Sequence, residues 1–115
     1  MKLLLAIIQP TKLDTVRNAL IEIGIESMTV CDSRGYARQL GQTATFRGHE
    51  YQAYLLRKVA VEIVVHEDRL ERVIETVTNV ARTGPDGSIG DGKIFLLPVD
   101  DVIRLSDQVR GPEAV

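Results

Sequence analysis

The feature that most constrains this chain is an order of elements written twice. Lys2–Gln9 (KLLLAIIQ) is a short apolar run with strand character, and Ser27–Asp32 (SMTVCD) is a second. Between them Leu13, Val16, Leu20 and Ile23 recur at helical spacing, and Gly24 follows where a helix end favours positive φ. Thr11 and Asp14 have the spacing of a capping box, which predicts a helix starting at Thr11. The second half repeats the order. Lys58–His66 (KVAVEIVVH) is the clearest strand, and Leu70, Val73, Ile74, Val77 and Val80 form an apolar stripe on a helix from near Asp68. Gly84 marks its stop, and Lys93–Val99 completes the pattern. Four strands and two helices in βαββαβ order predict an α+β, ferredoxin-like sandwich: a four-stranded antiparallel sheet with two helices on one face.

Such a sheet leaves its other face uncovered, and here that face is apolar. Leu3, Leu5 and Ile7 alternate with Leu4, Ala6 and Ile8 in the first strand, so neither side is polar. Self-association is therefore expected. In the third strand Val59, Val61, Ile63 and Val65 share one face, while Lys58, Ala60, Glu62 and Val64 share the other. Two opposite charges among apolar neighbours need a partner or a ligand. They read either as a structural ion pair or as ligand contacts.

With 115 residues the chain fits one domain, 1–115. A net charge of −2 argues against nucleic-acid binding, which requires basic surface. No apolar run reaches membrane-spanning length and no leader is evident, so direct membrane insertion is not expected and a cytoplasmic location is. The single cysteine, Cys31, suits a reducing compartment and reads as a small strand residue. His49 and His66 lack metal-ligand spacing.

The segment Gly87-Ser88-Ile89-Gly90-Asp91-Gly92-Lys93 carries the chemistry. Glycines let backbone N–H groups approach an anion and the lysine adds charge, so the segment reads as a phosphate cradle. It fits the core of a P-loop, yet Ile94 replaces the magnesium-binding hydroxyl and a strand, not a helix, follows. A plain turn ending in a solvated lysine is the bland alternative. Gly35–Arg57 joins the halves; it is too long for a simple hairpin and reads as a functional loop. The polar stretch after Ser106 reads as a loose tail.

These pieces resemble the PII signal-transduction proteins, the nitrogen-regulatory sensors, over nearly the whole chain. The matching stretches are LLAIIQPTKLDTVRNAL, GIESMTV, GYARQLG, RGHEY, KVAVEIVV, ARTG, IGDGKIF and VIR. The resemblance implies a cytoplasmic homotrimer that is not an enzyme. It would bind ATP or ADP between subunits, and 2-oxoglutarate beside ATP through magnesium. A central T-loop, here about 37–57, would select protein targets such as an ammonium channel or nitrogen-metabolism enzymes.

Residue by residue, the resemblance gives Gly90, Asp91, Gly92 and Lys93, in a glycine-rich B-loop of about 83–92, to the phosphates, with Arg38 and Arg104 adding guanidinium contacts. Gly35, Tyr36 and Ala37 would wrap the phosphates, and Ile7, Thr29, Glu62 and Val64 would line the adenine and ribose pocket. Gln39 would hold magnesium and 2-oxoglutarate, Lys58 would pair with a carboxylate of that ligand, and Tyr51 stands where many relatives are nucleotidylylated. A flexible tail would span about 107–115.

Departures from the family pattern are specific. Leu40 replaces a lysine, Ala37 a glycine, Ser106 a second arginine and Gln9 a lysine. Tyr54 and Arg57 replace an acidic residue and a proline, and Pro85-Asp86-Gly87-Ser88 fills a space normally taken by one residue. These leave a second reading, a divergent PII-like sensor of other nucleotides or small anions linked to carbon or metal transport. An acylphosphatase-like enzyme on the same fold is a third. It would need an arginine in the turn after the first strand, where Gln9-Pro10-Thr11 has none.

Overall fold

A computed structural model describes residues 1–40 and 51–115, with backbone alone for 33–40 and 51–56. The elements are β1 (Lys2–Ile8), α1 (Leu13–Glu22), β2 (Thr29–Leu40), β3 (Tyr51–Val65), α2 (Leu70–Ala81) and β4 (Gly92–Pro98). The sheet order is β2-β3-β1-β4 and all pairings are antiparallel, the ferredoxin-like arrangement that the element order predicts.

Register follows from hydrophobic alternation. Leu4, Ala6 and Ile8 oppose Ile63, Val61 and Val59, and all six are buried beneath the helices. Val16 and Leu20 of α1, with Leu70, Val73, Val77 and Ala81 of α2, close this aliphatic core. At such sites, truncating a leucine to alanine costs about 2–5 kcal/mol. Gly24 ends α1 at φ +88°, and the Arg69 guanidinium donates to the Ile23 carbonyl. That cation satisfies an orphan carbonyl at the helix C-terminus and ties the two halves together.

Several boundaries differ from those expected. Pro10–Lys12 forms a 3₁₀ turn and α1 begins at Leu13 with no side-chain cap. Proline fixes φ and lacks an N–H, so the turn starts there, and no capping box forms. Asp14 instead lies 3.2 Å from Arg17. β2 and β3 run far into the segment read as a loop: their ladder extends from Thr29↔Glu62 to Leu40↔Tyr51. β1 stops contributing at Ile8↔Val59, so beyond that point the two strands form a two-stranded ribbon. The remainder of the expected T-loop, 41–50, lies outside the described residues.

The segment expected to be a loose tail is folded. Arg104 N–H donates to Val109 O at 2.9 Å, Gly111 N–H donates to Val102 O at 2.9 Å, and Gly111–Ala114 makes a 3₁₀ turn.

The glycine-rich connection from α2 to β4 is organised around one carboxylate. Asp91 accepts hydrogen bonds from Thr83 N–H (3.0 Å), Thr83 Oγ1 (2.6 Å), Ser88 N–H (2.8 Å) and Gln9 Nε2 (3.0 Å). The Thr83 N–H and hydroxyl, then the Ser88 N–H, hold this carboxyl well below the usual carboxylate range. The loop then enters β4 through Gly92 at φ +113°, where a Cβ would lie 1.8 Å from the Ile7 carbonyl oxygen. Only glycine permits this approach.

Two outcomes follow for thermal unfolding at fixed protein concentration. Gly92→Ala should destabilise by roughly 2–4 kcal/mol, well beyond Gly90→Ala, whose Cβ meets open space despite its positive φ. Asp91→Asn should lower the melting temperature by a constant amount from neutral pH down to about pH 5. Because the folded carboxyl is depressed, its stabilisation is present above the ordinary value of 3.8 and fades as pH falls below it. The gap between the two proteins should therefore narrow in that acidic range.

Candidate functional site

The uncovered sheet face gathers six of the expected ligand residues. Cross-strand register places Ile7 between Ala60 and Lys93, and Leu5 between Glu62 and Phe95, with Thr29 opposite Glu62 on the outer side. Val64 opposes Leu3 in the adjoining row, and Lys58 opposes Ser33. Thus Ile7, Thr29, Lys58, Glu62, Val64 and Lys93 all share the face that the helices do not cover. That face is half-buried at Leu3, Leu5 and Ile7, while Phe95 and Leu97 are 46% and 43% exposed.

Two clefts flank it within one chain. One, of about 770 Å³, runs beneath the glycine-rich loop and is lined by Ile7, Asp91, Gly92 and Lys93, with Ile74, Val77 and Thr78 of α2 behind them. The lengthened segment supplies Asp86, Gly87 and Ser88 to its wall. The other, of about 550 Å³, brings Thr29, Glu62 and Val64 together with Met28, His66 and Val102. Of the residues expected to contact adenine and ribose, Thr29, Glu62 and Val64 therefore line a different cleft from Asp91, Gly92 and Lys93, whereas Ile7 lies with the latter.

Lys58 does not pair with Glu62. Its Nζ donates to the Gly90 carbonyl at 2.5 Å, linking the root of the β2–β3 ribbon to the glycine-rich loop. Lys93 is exposed and makes no ion pair among the described residues. Gly90, at φ +97°, has open space where a side chain would be. An anion meeting this corner would find the Lys93 ammonium, the Lys58 ammonium and a glycine backbone it can approach closely. The Asp91 charge is spent inside its own loop, so this residue shapes the cradle and is not an open contact.

Arg104 stands on the C-terminal turn, where Asp107 accepts from its Nε (3.0 Å) and Nη2 (2.7 Å). This pairing raises the arginine above its ordinary value and lowers Asp107. Asp101 is lowered likewise by Arg110, which donates through Nε and Nη2. Sequence reasoning missed these two Asp–Arg pairs, although the three-residue spacing of Arg104 and Asp107 was a readable signal. It also missed the role of Gln9 in holding Asp91.

Of the remaining expected contacts, Gly35, Tyr36, Ala37, Arg38 and Gln39 lie in the paired part of β2, and Tyr51 opens β3 opposite Leu40. Their side chains are not among those described, and residues 47–50 of the RGHEY tract, before Tyr51, lie outside the described residues.

Comparison with known proteins agrees with this architecture. The family model described as nitrogen regulatory protein P-II matches residues 1–109. The nitrogen regulatory protein P-II of Synechocystis is 47% identical over all 115 residues of both chains. That of Azospirillum brasilense is 44% identical over the full length of both, and P-II 2 of Methanothermobacter thermautotrophicus is 46% identical, covering 97% of that protein. Among solved structures, Arabidopsis thaliana PII bound to citrate superposes with a TM-score of 0.78 and 41% identity, over 99% of this chain and 91% of that one. A match across nearly every residue, on the fold built above, leaves one assignment: the chain belongs to the nitrogen regulatory protein P-II family.

Proposed function

We propose that this protein is a non-enzymatic sensor of ATP and ADP, and of 2-oxoglutarate, that regulates nitrogen metabolism through its T-loop. The observation that carries the reading is the corner where Lys93, Lys58 and the glycine-rich loop converge on the open sheet face. A polyphosphate needs cations and close backbone approach, and that corner supplies both.

The split between two clefts supports a site completed by a second copy. Thr29, Glu62 and Val64 of one subunit would meet a neighbour's phosphate cradle, as expected of a homotrimer with nucleotide between its subunits. The half-exposed Phe95 and Leu97 would be buried in that assembly.

Magnesium would be held by the phosphates and the amide oxygen of Gln39, an all-oxygen set suited to this hard cation. 2-Oxoglutarate would take the Lys58 ammonium from the Gly90 carbonyl, since a carboxylate forms the stronger, charge-assisted bond. The citrate in the Arabidopsis relative lends support to a carboxylate ligand here. Each ligand would bias the T-loop only through differential affinity for its states, and targets such as an ammonium channel would read the result.

Titration calorimetry tests the reading. ATP and ADP should bind, and undetectable binding of both at millimolar ligand would overturn it. 2-Oxoglutarate should bind only with Mg-ATP, and Lys58→Ala should abolish it while largely sparing ADP. Failure of 2-oxoglutarate under those conditions would instead favour a divergent sensor of another small anion, as the Pro85–Ser88 lengthening beside Lys93 suggests.

Ultracentrifugation should give three times the subunit mass. Leu97→Glu, which places a charge on the open apolar face, should shift the protein to monomers with its circular dichroism unchanged.

A further inference from the structure

The C-terminal turn carries charge in an arrangement that a phosphate contact does not by itself require. Gln108, at φ +62°, reverses the chain so that Gln108 N–H donates to Arg104 O at 2.8 Å, and Asp107 is presented to the Arg104 side chain. The carboxylate of Asp107 also accepts from Val109 N–H at 3.2 Å, so backbone as well as guanidinium fixes it. Arg110, the other arginine of this turn, is committed to Asp101. Both cations of the segment are thus locally neutralised.

We propose that Asp107 is a specificity-determining residue of the nucleotide site, which holds Arg104 as a neutral pair and selects against the more highly charged phosphate chains. The inference rests on the assignment of Arg104 to phosphate made above. Asp107 takes the Nε and Nη2 donors along one side of the guanidinium. The edge formed by Nη1 and the second Nη2 hydrogen is left, and the five donors of arginine allow it to meet an anion while Asp107 stays in place. A bound phosphate chain then faces cation and carboxylate together.

Repulsion from that carboxylate scales with the charge of the ligand, whereas the benefit of a preorganised arginine does not. The penalty is therefore smallest for AMP, larger for ADP and largest for free ATP. Ser106 adds no compensating charge beside them.

The test is calorimetric titration of the full-length protein with AMP, ADP and ATP, without magnesium so that ligand charge is undiluted. Asp107→Asn should tighten ATP roughly tenfold and AMP only about twofold, with ADP between, and the gains should shrink in high salt. Asp107→Ser, which removes the charge with a different shape, should reproduce that order. Both variants lie on an exposed turn, and circular dichroism checks their fold.

Equal gains for the three nucleotides or a general loss of affinity would each overturn the inference. Should Arg104→Ala bind ATP as well as the parent protein, the inference falls while the sensor reading stands. Should the parent protein bind no nucleotide at all, both fall.

Discussion

The structure hangs on β1, whose six residues from Leu3 to Ile8 are apolar in both directions. One side, Leu4, Ala6 and Ile8, is sealed beneath the helices, and the other, Leu3, Leu5 and Ile7, centres the uncovered face. β1 pairs with β3 on one edge and β4 on the other, so it lies between the two strands of the second half and joins them in one sheet. Its last residues then set the approach of the glycine-rich loop: the Ile7 carbonyl meets the α-carbon of Gly92 so closely that no side chain fits. A central strand, placed for reasons of burial, in this way dictates the backbone of the candidate ligand corner.

That dependence explains how much was legible in the sequence. Wherever a residue faces the aliphatic core, alternation or helical spacing announced it: Val59, Val61, Ile63 and Val65, or Val73 and Val77. Where the chain leaves the core the pattern falls silent. Beyond Val59 the ribbon has no third strand to impose an apolar side, so its polar and charged residues read as a loop while the backbone is paired through Leu40. The C-terminal turn misled for a related reason. Its order comes from Asp101, Arg104, Asp107 and Arg110 in mutual pairs, and charged residues in a row resemble solvated chain.

The candidate ligand corner was legible in part. Glycines and lysine marked Gly90–Lys93 as a loop that an anion could approach, but they did not separate residues open to such a contact from those that hold the loop. Asp91 belongs to the second group and Gly92 is required by packing in its own right. Lys58 and Glu62 share a face, as alternation required, yet the lysine reaches across to Gly90 because the loop presents a carbonyl there.

Lys58 occupies a further position of interest. It is the first residue of β3 beyond the last pairing with β1, so it marks the place where a sheet braced on both sides becomes a free-standing arm. From its partner Ser33 the arm continues to Leu40, about 23 Å at the usual rise of an extended chain. An arm of that length would act as a lever with Lys58 at its fulcrum. A pivot of about 10° at the root would sweep the far end through about 4 Å, roughly one residue of strand. Chemistry confined to a single ammonium group would in this way be magnified into a displacement large enough for another protein to detect.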